Sequence, residues 1–177
     1  MNSGALPSPA NLTLRDTVTA DDVTVVRQLV ASTGFFSAGE VEVAVELVTE
    51  RLHRGPESGY LFLFGDCDGH PVGYVCYGPI ACTVGSFDLY WIVTRQDRRH
   101  AGIGTFLLYE SERRMAATGG RAVYVETSSR PQYEPTRRFY ERRGYRQAAL
   151  LPDFYAPGDG KVIFAKNLLS RPASPAP

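Results

Sequence analysis

Ser86 to Met115, SFDLYWIVTRQDRRHAGIGTFLLYESERRM, is the stretch on which the reading of this chain turns. Phe87 to Thr94 is rich in aromatic and β-branched residues and holds no Gly or Pro, the composition of a strand. A charged bend from Arg95 to His100 follows, and then Ala101-Gly102-Ile103-Gly104. From Thr105 the spacing becomes helical. Leu107, Leu108, Ser111 and Met115 fall on one side, with Arg and Glu on the other. A strand that enters a helix through such a turn presents unpaired backbone N–H groups at the positive end of the helix dipole. An anion, most often a phosphate, can bind there. Gly102 and Gly104 have no side chains to hold a bulky anion away from the backbone. No Gly-Lys-Ser/Thr follows, so this is not a nucleotide P-loop, and the G-x-G-x-x-G spacing of a dinucleotide fingerprint is absent.

Working outward, Asn11 to Asp16 alternates Leu12 and Leu14 with polar residues, as a short strand does. Thr19-Ala-Asp-Asp22 reads as a helix start, with Val23, Val26, Leu29 and Val30 as its buried stripe up to Gly34. Ser37-Ala-Gly-Glu40 has capping-box spacing. Val41, Val45, Val48 and Leu52 carry that second helix to about His53, before Gly55-Pro56. Tyr60–Gly65 and Pro71–Tyr77 read as strands joined by a hairpin turn at Asp68-Gly69. Beyond Gly119-Gly120, Ala122–Thr127 is a further strand. Pro135 suits the first turn of a helix running to Arg143, with Gly144 as its cap. Tyr145–Leu150 and Lys161–Lys166 are the last strands, and Leu151–Gly160 reads as a loop with aromatics at its centre. The order β-α-α-β-β-β-α-β-α-β-β gives an α/β fold with a mixed sheet.

At 177 residues the chain suits one domain with a sizeable core. Its net charge of zero argues against a nucleic-acid partner. No apolar run is long enough for a membrane span. MNSGALPSPA has neither the basic start nor the apolar stretch of a signal peptide, so a cytoplasmic protein is expected. Cys67, Cys76 and Cys82 are odd in number, unevenly spaced and without a His cluster. They are read as reduced and mostly packing residues rather than a zinc site or a disulfide framework. The tail SRPASPAP reads as disordered.

Arg99-His100-Ala101-Gly102-Ile103-Gly104 resembles the Q/R-x-x-G-x-G/A acetyl-CoA signature of the GNAT N-acyltransferase superfamily. Phe139-Tyr140-Glu141-Arg142-Arg143-Gly144-Tyr145 resembles the same superfamily's FYE-x-x-G-F/Y segment. The likeness runs from about Leu12 to Leu168. It implies a single domain over residues 11–169, with flexible tails at 1–10 and 170–177. It also implies a mixed, mostly antiparallel sheet flanked by helices. The implied activity is transfer of the acetyl group of acetyl-CoA, a cosubstrate, to a primary amine by direct attack in a ternary complex, without a metal. Neither motif contains the Cys that a covalent route would use. A small molecule or amino acid is the first-choice acceptor, and a protein amine or a non-catalytic acyl-CoA-binding domain is the alternative. A homodimer is left open.

The resemblance also assigns roles. Backbone N–H groups near Ile92 and Val93 would polarise the thioester carbonyl, opposite the strand around Glu126-Thr127. Arg98, Arg99, His100, Ala101, Gly102, Ile103, Gly104 and Thr105 would hold the pyrophosphate region, with Arg98 and His100 reaching the outer phosphates. Tyr140 would protonate the departing thiolate. Asp88 lies eleven residues before Arg99, where several members carry a Glu, and it is the first candidate for general base. Glu126 is the second. An acid inside an apolar strand is costly unless it is paired or functional, which also singles out Asp88. Tyr133, Phe154 and Tyr155 would shape the acceptor pocket or else cover the sheet edge. Arg137-Arg138 and Arg142-Arg143 read as a solvated basic helix face that attracts coenzyme phosphates.

Overall fold

Ser86–Thr94 is a strand and Ile103–Ala117 a helix, so the quoted stretch folds as its composition requires, the helix starting two residues before Thr105. The computed structural model describes residues 8–9 and 11–168. The tails expected at 1–10 and 170–177 lie outside these, Ser8 and Pro9 apart. In chain order the elements are β1 (Leu12–Arg15), α1 (Asp21–Ser32), α2 (Ala38–Arg54), β2 (Leu61–Cys67), β3 (His70–Pro79), β4 (Ser86–Thr94), α3 (Ile103–Ala117), β5 (Ala122–Ser128), α4 (Glu134–Glu141), β6 (Arg146–Ala156) and β7 (Asp159–Asn167). The seven strands form one sheet in the order β1-β2-β3-β4-β5-β7-β6. β4 and β5 run parallel, while β1–β2, β2–β3, β5–β7 and β6–β7 are antiparallel. Two compact units divide the chain, Met1–Gly78 with Tyr90–Arg114 and Pro79–Leu89 with Met115–Pro177.

In the first unit α1 and α2 lay Val26, Leu29, Val30, Val41, Val45 and Val48 against Phe62, Phe64, Tyr74 and Cys76 of β2 and β3. The Ser37 hydroxyl accepts from the Glu40 amide while the Glu40 carboxylate accepts from the Ser37 amide, a complete capping box. Leu52, assigned to the buried stripe, is 37% exposed, because it sits in the last turn of α2 beyond the core contacts.

The start of α1 is held differently from the Ser37 box. Asp22 is 1% exposed and accepts from both ends of the Arg15 guanidinium at 2.9 Å, and from the Thr19 amide at 2.7 Å. Burial pushes its carboxyl up, but the bonds from Arg15 and Thr19 outweigh this and hold it below its ordinary 3.8. The contribution to stability is therefore present above that value and is lost as pH falls through the lower folded one. Asp22→Asn should cost about 2–3 kcal/mol at neutral pH, since Arg15 keeps Asp66 as a second partner. Urea titrations at pH 7 and pH 3 measure this, and the gap between the two proteins should be much smaller at the acid end.

In the second unit the registers Leu89↔Val125↔Phe164 and Asp88↔Tyr124↔Ala165 sort the strands into two faces. Phe87, Leu89, Val123, Val125, Val162 and Phe164 share one face and are buried, with Tyr140 of α4 and Tyr145 beside them. Asp88, Tyr124, Glu126 and Lys161 share the other. α4 ends at Glu141, two residues before Arg143. The Tyr145 amide reaches back to the Tyr140 carbonyl and the Gly144 amide to that of Glu141, with Gly144 at φ 83. This is a Schellman cap, which needs the left-handed residue that glycine supplies.

Leu151–Gly160 is not the loop that its Pro, Gly and Asp residues suggest. β6 continues through it to Ala156, and Ala156 pairs with Asp159 around a turn at Pro157-Gly158. The irregularity is absorbed by a register shift between Leu151 and Ala156, where Asp153 has φ 53 and its carboxylate accepts from the Gly158 amide. A bulged edge strand tolerates Pro152, which has no N–H, because the ladder needs no donor at that position.

Candidate active site

The proposed coenzyme turn lies in the first unit. At the start of α3 the Phe106 amide donates to the Gly102 carbonyl at 3.0 Å. Among the described residues, no backbone carbonyl accepts from the amides of His100 to Gly104. His100 and Gly102 have φ of 66° and 79°, and a non-glycine residue held there is uncommon enough to mark a shaped turn. A Cβ on Gly102 would meet nothing within 4 Å, so the backbone faces open space. Arg98, Arg99 and His100 are exposed, and the Arg99 guanidinium lies 5.7 Å from the ring centre of Phe35. Ahead of the turn, Val93 is buried in the α1–α2 core and Ile92 is half-buried. The β4–β5 ladder ends at Leu89↔Val125, before either of them.

The second unit brings Asp88 and Glu126 together and sets Tyr140 on the opposite face. Asp88 is half-buried. Burial first, then the neighbouring Glu126, raises its carboxyl above the ordinary 3.8, while Lys161 opposes the rise. Glu126 accepts an ion pair from the Lys161 ammonium at 2.6 Å. The same ammonium lies 3.9 Å from the ring centre of Phe154 and 5.9 Å from that of Tyr155, both rings about half-exposed. Tyr140 is 3% exposed, with the rings of Phe139, Tyr145 and Phe164 around it. Burial pushes its phenol well up, against a small opposing pull from Arg143. Among the described residues, none hydrogen-bonds the Tyr140 hydroxyl.

The basic face expected on α4 is largely engaged. Arg137 donates to the Ser128 and Arg130 carbonyls, and Arg138 pairs with Glu134. Arg143 stacks on Phe139 and donates to its carbonyl. Arginines tied into loop and helix in this way are less able to gather coenzyme phosphates. Tyr133 is buried under the Arg130 guanidinium rather than open to a ligand. Cys76 is buried and Cys82 exposed, so only the first is a packing residue.

The sequence model of the acetyltransferase (GNAT) family matches residues 26–145, more than half of the chain. The chain belongs to the GNAT acetyltransferase family. An uncharacterized N-acetyltransferase of Methanocaldococcus jannaschii is 30% identical over 111 residues, which are 60% of this chain, and the match spans about 65% of that relative's length. A crystal structure described as an acetyltransferase of the GNAT family from Desulfovibrio desulfuricans has a TM-score of 0.86 at 44% identity, covering 89% of this chain and 99% of the other. The PaiA N-acetyltransferase of Thermoplasma acidophilum, crystallised with coenzyme A, has a TM-score of 0.66 at 20% identity, over 88% and 98% of the two chains.

In this GNAT chain Lys161 is the neighbour of the candidate carboxylates that the sequence alone does not single out. It stands first in the run KVIFAK, but it meets Glu126 only through the β5–β7 register, in which it pairs with Ser128. Among the described residues, no group of three or more His, Cys, Asp or Glu side chains is placed to hold a metal ion. Nor is any helix among them long and apolar enough to cross a membrane.

Proposed function

We propose that this GNAT chain transfers the acetyl group of acetyl-CoA to a primary amine of a small molecule, by direct attack in a ternary complex. The observation that carries the reading is the strand–glycine turn–helix unit with its unclaimed amides from His100 to Gly104. Those donors and the helix dipole suit a pyrophosphate, with Arg98, Arg99 and His100 adding charge at its edge. The coenzyme A found with the Thermoplasma acidophilum relative supports the same ligand class here.

The acid–base arrangement follows from the two faces of the second unit. Attack by an amine on a thioester needs a base within reach of the nitrogen, and departure of the thiolate needs an acid within reach of the sulfur. Asp88 on the polar face takes the proton of the incoming ammonium, directly or through one water. Tyr140 on the apolar face gives its proton to the sulfur. Glu126 is paired with Lys161, which leaves Asp88 the better base. Asp88, Glu126 and Lys161 together carry one net negative charge, matched to one ammonium. The N–H groups of Ile92 and Val93, on the part of β4 beyond its ladder with β5, polarise the carbonyl.

Thiol release from acetyl-CoA across a panel of small amines, amino acids and peptides, measured beside coenzyme binding by calorimetry, tests the reading. Turnover fastest on a small primary amine is expected. Coenzyme binding without turnover on any amine would leave a non-catalytic acyl-CoA-binding domain instead. Saturating CoA should stabilise the protein by about 2–4 kcal/mol at a hundred to a thousand times its dissociation constant. Gly104→Asp puts a carboxylate at the helix start, facing the phosphates, and should weaken CoA binding roughly 10–100-fold. Unchanged affinity in the folded variant would mean that the phosphates bind elsewhere.

A further inference from the structure

A second concave site lies wholly within the first unit. It is a cavity of about 450 Å³ where the chain leaving β1, the last turn of α2, the start of β2, the end of β3 and the late turns of α3 meet. That volume is in the range of small-molecule pockets. Its lining is unusual in charge. Arg51 and Arg114 both contribute, against a single carboxylate, Asp16. Arg114 gives one Nη to Asp16 at 2.6 Å, but its Nε is buried with no hydrogen-bond partner. Among the described residues Arg51 forms no ion pair within 4.0 Å, although its charge helps to lower the Asp16 carboxyl, and its Nη1 is likewise buried without an acceptor. Buried donors of a charged group are rarely left unsatisfied, and two from separate elements lining one cavity point to an acceptor shared between them.

We infer that this cavity is a binding site for a small carboxylate. Two guanidinium groups and one carboxylate leave one positive charge, which a monoanion neutralises and a phosphate dianion would overshoot. A carboxylate has two oxygens and can accept from both guanidinium groups at once. The rest of the wall mixes apolar Val18, Leu52, Leu61 and Phe62 with the polar Thr17 and Tyr77. The site is separate from the coenzyme turn, since Arg114 lies about 15 Å along α3 from Gly104. It therefore stands whether or not the acetyl-transfer reading holds.

The experiment is calorimetry at neutral pH with hexanoate, benzoate and phenylacetate, with the amide of each, and with inorganic phosphate. At least one carboxylate should bind saturably, its amide about tenfold more weakly or not at all, and phosphate more weakly than the carboxylate. Arg51→Gln should weaken the carboxylate about tenfold while CoA affinity stays within about twofold of wild type. Among the described residues Arg51 makes no hydrogen bond that the substitution would break, so this variant is expected to fold. Should it not, the comparison of carboxylate with amide on the wild-type protein still decides. The inference is overturned if no carboxylate binds, if an amide binds equally well, if phosphate binds more tightly, or if folded Arg51→Gln keeps full affinity.

Discussion

Tyr140→Phe is expected to lower turnover by roughly 10²–10⁴-fold, the scale on which a general acid contributes. The ring stays among Phe139, Tyr145 and Phe164, so its packing is kept. No described residue hydrogen-bonds the hydroxyl, so its removal should leave the melting temperature nearly unchanged. Burial holds the phenol protonated through the whole neutral range, which keeps the donor loaded until charge develops on the sulfur. CoA affinity should change little, because the bond matters in the transition state rather than the ground state. An acetyl thioester with a more acidic thiol should lose less on substitution, since its leaving group needs less help. Near wild-type turnover, with chemistry shown to limit the rate, would make Tyr140 an ordinary core aromatic.

Asp88→Asn should have an effect of similar size, with a signature in pH. A general base contributes roughly 10²–10⁴-fold where the amine arrives protonated. The deficit should be deepest at low pH within the range where wild-type Asp88 is ionised, and should shrink as free amine accumulates at higher pH. Because burial and Glu126 raise the folded carboxyl above 3.8, the ionised form weighs against the fold once pH exceeds that raised value. The stability contribution of Asp88 is thus fully present below the unfolded value and lost as pH rises through the folded one. At neutral pH the Asn variant should be no less stable than wild type while losing activity, a combination typical of functional positions. Rates that merely scale down by the same factor at every pH would assign Asp88 a structural role and return Glu126 or a solvent path to consideration.

Much of the architecture was legible because its signals are local. The strand at Phe87–Thr94, the glycine turn, the capping box at Ser37–Glu40 and the cap at Gly144 each depend on residues a few positions apart. Alternation and helical spacing act within a single element in the same way. The one sizeable misreading, Leu151–Gly160, came from turn-forming residues that a bulged edge strand can accommodate. Composition does not distinguish a loop from such a strand. The partner strand does, because β7 supplies the hydrogen bonds as far as Asp159↔Ala156.

What the sequence by itself determined is the order of the elements, the anion-ready turn from Arg98 to Thr105 and the candidacy of Asp88, Glu126 and Tyr140. Tertiary structure decided where those residues stand. The registers Asp88↔Tyr124 and Ser128↔Lys161 put Lys161 beside Glu126 and leave Asp88 the less encumbered carboxylate. They also set Tyr140, against Phe164, on the far face. The meeting of Arg51 with Arg114 is likewise a product of packing between α2 and the far turns of α3. Strand register and helix docking are fixed by hydrogen bonds and contacts between distant parts of the chain. A slip of one residue would exchange every side chain between the two faces, and no local pattern in the sequence specifies which register is taken.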